Sequence, residues 1–345
     1  MEILPAPEHL VDAEGRPAIG VFDGPPRHAD LERARVVSRG VRLPPALARL
    51  RLKQWQHVAL ITPSTFVGLA IVDAGFLRTT WCHVVDRASG RRFEHSRKGP
   101  LLDLRVAPDL WDDRCHVRAR GYDATIENRL SAGEHRILFE IAGDPAVSGT
   151  LRCPHDLAAD QPLVVSLPVG GGRAMYSLKA ALPLEGTLRV GDRTQALDPR
   201  SCHAIWDVHK AHYPRRTFWN WATFAGRDAA GRRVALNLTR NVNEDDATWN
   251  ENAAWLDGHI EHLGPATFHF DPARPLDPWR LGTADGAVDL VFRPQGERRE
   301  DLRAGLVESV FRQPYGTFDG TVRVRGERVT VEAAFGVCED HRAVW

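Results

Sequence analysis

The stretch "TVRVRGERVTVEAAF", residues 321–335, decides the class of fold. Val322 and Val324 alternate with Arg323 and Arg325, Gly326-Glu327 turns the chain, and Val329 and Val331 resume the alternation. A repeat of two puts successive side chains on opposite faces, so this is a β-hairpin with one dry and one wet face. The same pattern recurs outward from it. "ADGAVDLVFRPQG" (284–296), "GTLRVGDRTQAL" (186–197), "AVSGTLRCP" (146–154) and "FVGLAIVDAGFLRTTWCHVVDRASGRRFE" (66–94) all set Gly, Asp or Asn between short β-branched or aromatic runs. Helical stretches are confined to the start, where "ADLERARVVSRG" (29–40) and "PPALARLRLKQW" (44–55) predict short helices.

The chain is therefore all-β, and its many short strands suit barrels or sandwiches. They are too numerous for one small barrel, which predicts two β-domains. "DRASGRR" (86–92) and "RDAAGRR" (227–233) echo one another, each turn following a Trp-containing strand. The polar, proline-bearing "DRTQALDPRS" (192–201) sets the boundary. The expected division is an N-terminal extension over 1–50, a first β-domain over 51–200 and a second over 201–345.

Composition excludes several classes. The 345 residues carry 45 Lys plus Arg against 45 Asp plus Glu, a formal charge of zero. That balance offers no long-range pull on phosphate backbones or anionic lipid, so nucleic acid and membranes are not expected partners. Five widely spaced cysteines, with no CxxC pair, predict reduced thiols rather than a disulfide framework. The start "MEILPAPEHLVDAEGRP" lacks a basic, apolar leader, and no apolar run reaches membrane-span length, so a cytoplasmic protein is expected.

The densest chemistry lies in "HKAHYPRRTFWNWATFAG" (209–226). Alternation puts Arg215, Thr217, Trp219, Trp221 and Thr223 on one face and Arg216, Phe218, Asn220, Ala222 and Phe224 on the other. Two indoles along a barrel wall, with Arg215 at its open end, suit an amphipathic small molecule whose anionic head the guanidinium could clamp. The same aromatics could equally fill a core. His209 and Tyr213, at the approach to this strand, join the candidate ligand wall. Asn237 in "VALNLT" points away from Leu236 and Leu238, and either orients a ligand or ties to a neighbouring strand. In "WNENAAWLDG", Glu251 and Asn252 fall on opposite faces.

Candidate acid–base groups are Asp207, Glu251, Asp340 and His341. Adjacent residues of a strand point opposite ways, so only one of Asp340 and His341 can face a given cavity, and Glu339 shares the face of His341. Asp207, His209 and His212 have a spacing that metal ligands use. Yet no HExxH or cysteine pair accompanies them and Lys210 would repel an ion, so neither metal nor other cofactor is expected. "PVGGGRAMYS" (168–177) lacks the features of a P-loop and reads as a loop, and "GERREDLRAG" (296–305) reads as a solvated charge run.

"WDVHKAHYPRRTFWNWATFAG", "GRRVALNLTRN", "NENAAWLDG", "PWRLGTADGAVDLVFRPQGERRE", "VFRQPYGTFDGTV" and "GVCEDHRAVW", in that order, resemble the family named domain of unknown function 2804. "KQWQHVALITPSTFVGLAIVDAGFL" resembles its opening strands, so the likeness runs from about residue 50 to 345. The resemblance implies two lipocalin-like antiparallel β-barrels in tandem, distantly similar in architecture to carotenoid hydratases and lipocalin-type cyclases. The expected function is binding of an apolar or amphipathic small molecule in the second barrel. The alternatives are a cofactor-independent hydratase, isomerase or cyclase, and a non-catalytic structural or interaction module.

Overall fold

A computed structural model describes residues 2–38, 40–243, 245–304 and 307–345. Strands dominate throughout, as the period-two pattern requires. The expected N-terminal helices reduce to a 3-10 turn at Leu31–Arg33 and one α-helix, Pro45–Arg51, opened by a proline whose missing N–H costs nothing there. Among the described residues no helix is long and apolar enough to cross a membrane.

The chain divides into two compact units, one of residues 2–166 and 171–212, the other of 167–170 and 213–345. The sequence expectation set the division between 200 and 201. The stretch taken for a linker contains the strand Arg193–Leu197, which pairs with Glu185–Val190. The next strand, His203–Ala211, lies between Ala174–Pro183 and Lys53–Ile61 in the first unit's sheet.

That first unit has a nine-stranded sheet with His203–Ala211 as its central strand. Its other sheet has seven strands, between the edge strands Arg193–Leu197 and Asp103–Arg105. Ile3–Leu4 pairs parallel with Gly20–Phe22, His9 and His28 form an isolated parallel bridge, and His203–Ala211 pairs antiparallel on both sides. Val58, Leu69 and Trp206 of the first sheet share one apolar core with Ile126, Ile137 and Leu151 of the second. His203–Ala211 is buried at every residue, so the face opposite that core is dry as well.

The second unit is one antiparallel nine-stranded sheet, curved as a half-barrel. Its centre is the strand Glu327–Val344, between Arg216–Arg227 and Val307–Val324. Phe224, Leu236, Trp279, Phe292, Phe318 and Cys338 fill the concavity, with Phe292 and Phe318 centroids 4.6 Å apart. Each such side chain contributes roughly 1.5–3 kcal/mol by leaving water. The hairpin at 321–335 is present, but its turn is one residue earlier than expected. Val324 pairs with Glu327, leaving Arg325 (φ 55°) and Gly326 (φ 76°) as a two-residue loop with both residues left-handed. That loop twists in the sense its flanking strands require. At Gly336 a Cβ would stand 2.0 Å from the Thr223 carbonyl oxygen, so only glycine lets these strands approach.

The charge run 296–304 forms the far half of the strand Val288–Ala304, where Arg298 is buried, and Gly305 lies outside the described residues. All five cysteines are buried and unbridged, four in the first unit and Cys338 in the second.

Candidate functional site

The expected partition of the 215–224 segment is present, but the roles of its faces are exchanged. Ala222 and Phe224 point into the packed concavity of the second unit, while Trp219 and Trp221 point the opposite way. The expected barrel interior lined by the indoles is therefore corrected: that side of the sheet is packed with Phe224, Leu236, Phe292 and Phe318 instead.

The face bearing the indoles is buried as well, and it is polar. Cross-strand register sets Trp221 beside Thr239 and Glu339, and Trp219 beside His341. Phe311 also pairs with His341, and Arg298 with Gln313. The Trp219 indole N–H donates to Glu339 Oε1 at 2.7 Å, and the Gln313 amide donates to Oε2 at 3.1 Å. His341 stands edge-on to Trp219 at 4.2 Å and to Phe311 at 5.2 Å, with Nε2 2.9 Å from the Ser309 hydroxyl. Burial, with the Arg298 guanidinium adding to it, pushes His341 down to about 3, so the imidazole is neutral.

Three polar atoms on this face meet no hydrogen-bond partner among the described residues: His341 Nδ1, Gln313 Oε1 and Thr239 Oγ1. Their residues are only 7 %, 2 % and 6 % exposed. An unmet buried polar group costs roughly 1–3 kcal/mol, and three sharing one face make a surface that fits a polar guest.

The other predicted residues of this unit surround or avoid that face. Asn237 ties strands together: its Oδ1 accepts the Trp221 indole N–H at 2.7 Å and its Nδ2 donates to the Glu251 carbonyl at 2.6 Å. Asn252 likewise works within the sheet, accepting from Thr239 N at 2.6 Å and donating to Gly264 O at 3.0 Å. Glu251 is buried just before the strand Ala253–Leu256. Tyr213 stacks on Trp219 at 5.9 Å. Arg215, the expected clamp, is exposed one residue ahead of its strand; the buried arginine on the indole face is Arg298. Asp340 points to the opposite face and accepts from Asn220 Nδ2 at 3.0 Å. Burial raises the Asp340 carboxyl, against the opposing pull of Arg342, Asn220 and Arg312.

Asp207 and His209 belong to the first unit, on the non-core face of the central strand. Lys179 Nζ donates to Asp207 Oδ1 at 2.5 Å, the Trp55 indole N–H to Oδ2 at 3.3 Å, and His57 Nδ1 stands 4.0 Å away. Burial alone would raise Asp207, but Lys179 and His57 outweigh it and hold the carboxylate ionised. His209 stacks on Trp55 at 4.1 Å and is pushed down to about 3 by burial and by Lys179. Among the described residues no group of three metal-ligating side chains converges.

His341, Trp219 and Trp221, each singled out from the sequence, lie on one face of the sheet, and Gln313, Thr239, Ser309 and Arg298, which the sequence did not single out, lie there with them. Sequence reading placed Glu339 on the right face without choosing it. Only the register between strands brings Gln313, 26 residues upstream, to Glu339.

The fold has solved relatives. CghA, crystallised with Sch210972, superposes with a TM-score of 0.54 at 12 % identity, covering 84 % of this chain and 87 % of its own. Kievitone hydratase from Nectria haematococca gives 0.54 at 15 % identity, covering 84 % and 88 %. At such identities the likeness is one of fold. No curated protein matches the chain. A family model does, over residues 2–345, and by it the chain belongs to the family described as domain of unknown function (DUF2804).

Proposed function

We propose that this protein is a cofactor-independent hydratase-type enzyme acting on an apolar or amphipathic alkene conjugated to a carbonyl. The fold is read as two lipocalin-like barrels in tandem, in a cytosolic protein. The observation that carries the reading is Glu339, a buried carboxylate held by Trp219 and Gln313 beside the neutral His341. The fold likeness to a protein named as a hydratase points the same way.

The charge states select the order of events. Two N–H donors favour the ionised carboxylate, which suits a base better than the strong acid expected for protonating a bare alkene. Glu339 takes a proton from water as the water oxygen bonds to the β-carbon. The alkene π pair moves toward the carbonyl, whose oxygen becomes an enolate. His341, with Ser309 donating to Nε2, offers Nδ1–H to that oxygen; a neutral imidazole is the right donor because it does not surrender its proton. Glu339 then returns the proton to the α-carbon, so H and OH have added across the double bond and the site is regenerated. Trp219 and Trp221 supply apolar wall for the rest of the substrate.

The test is incubation with a panel of plant-phenolic and terpenoid enones in ¹⁸O-water, followed by mass spectrometry. We expect addition of labelled water by the parent and a loss of roughly 10²–10⁴-fold in Glu339→Gln. Labelling unchanged by that substitution, or enones bound without any turnover, would overturn the catalytic reading; the latter would leave a binding protein.

A further inference from the structure

Among the described residues seven large apolar side chains are strongly exposed, and four of them fall within one stretch of fourteen. These are Val37 (38 %), Val41 (66 %), Leu47 (50 %) and Leu50 (46 %). The helix Pro45–Arg51 turns Ala48 inward, and Leu47 and Leu50, three residues apart, lie side by side on its outer surface. The short hairpin formed by Val37–Ser38 and Val41–Arg42 leaves Val41 and Arg42 exposed just ahead of the helix.

The charge of this stretch is one-sided. Arg35, Arg39, Arg42, Arg49 and Arg51 fall within seventeen residues, and no Asp or Glu occurs between Glu32 and Asp73. Arg42 and Arg49 are exposed. In a chain of zero formal charge this is a local excess that the total conceals. Apolar exposure alone would suit many partners, and cations alone would suit any polyanion. Leucine and valine interspersed with arginine on an exposed helix and hairpin fit an anionic bilayer surface.

We propose that residues 40–51 dock the protein on anionic lipid. Val41, Leu47 and Leu50 enter the boundary between headgroups and acyl chains, and Arg42 and Arg49 lie against lipid phosphates. The chain does not span the bilayer; it rests on one leaflet. The proposal stands on residues remote in sequence from Glu339 and is independent of the reaction.

The test is co-sedimentation of the full-length protein with phosphatidylcholine vesicles, with and without phosphatidylglycerol at ~30 % of the lipid. We expect about tenfold stronger partitioning onto the anionic vesicles, weakened by raised salt. Arg42→Glu combined with Arg49→Glu, and separately Leu47→Asp combined with Leu50→Asp, each abolish it while circular dichroism stays unchanged. Equal partitioning onto both vesicles, no sedimentation, or variants that bind like the parent overturn the proposal. So does a dimer lost in the leucine variant, or heparin retention insensitive to that variant, since these assign the patch to a second copy or to another polyanion.

Discussion

Both oxygens of Glu339 accept from described side chains, Oε1 from the Trp219 indole and Oε2 from the Gln313 amide. Hydrogen bonds to the charged form lower a carboxyl pKa, so removing one must raise it. Trp219→Phe keeps most of the ring and deletes the N–H. We expect kcat/KM to fall about ten- to a hundredfold, as for loss of one hydrogen bond to a charged group, and the acid limb of its pH profile to move upward. A profile that falls in height without moving would show Trp219 to be wall and nothing more. The sequence shows at this scale that Glu339 and His341 share a face and that Asp340 does not. Partners are invisible in it: Asp207 and Glu339 look alike as lone carboxylates in strands. Lys179, 28 residues upstream, neutralises one, and an amide and an indole hold the other.

At the scale of the element, alternation located the strands within 66–94, 146–154, 186–197 and 321–335 and divided the 215–224 segment into its two faces. It could not say which face packs, because that depends on Phe292 and Phe318 filling one side of the sheet and on Gln313 and Glu339 reaching the other. The repeated turns are alike in construction: Asp86 accepts from Ala88 and Ser89, and Asp228 from Ala230 and Arg232. The hairpin at 321–335 was misplaced by one residue because Arg325 is a poor sequence signal for a left-handed position, which asparagine signals plainly. Arg325→Asn should therefore stabilise the second unit by about 0.5–1 kcal/mol, seen as a raised urea midpoint, since the left-handed strain at that position is relieved. A lowered midpoint would mean that the arginine side chain makes a contact worth more than the strain.

Across the whole molecule, burial has produced a set of histidines that fold uncharged. Burial pushes His155 and His212 down to about 4 and His209 and His341 to about 3, and it lowers His135 as well. In the unfolded chain each titrates near 6.5. Between those values the unfolded state binds more protons than the native one, so stability is complete above about pH 6.5 and declines as pH falls toward 4. The carboxylates held ionised, Asp207 among them, lose their contribution at still lower pH. The urea midpoint at about pH 5 should be clearly below that at about pH 7.5, and equal midpoints would contradict the burial of these imidazoles.

The cysteines carry a further consequence. Burial raises the thiols of Cys82, Cys115, Cys153 and Cys338 above their ordinary range, so none offers a thiolate to a probe while the fold is shut. Because Cys338 alone belongs to the second unit, peptide-resolved alkylation becomes a two-channel clock: one channel times the opening of residues 213–345, the others that of the remainder.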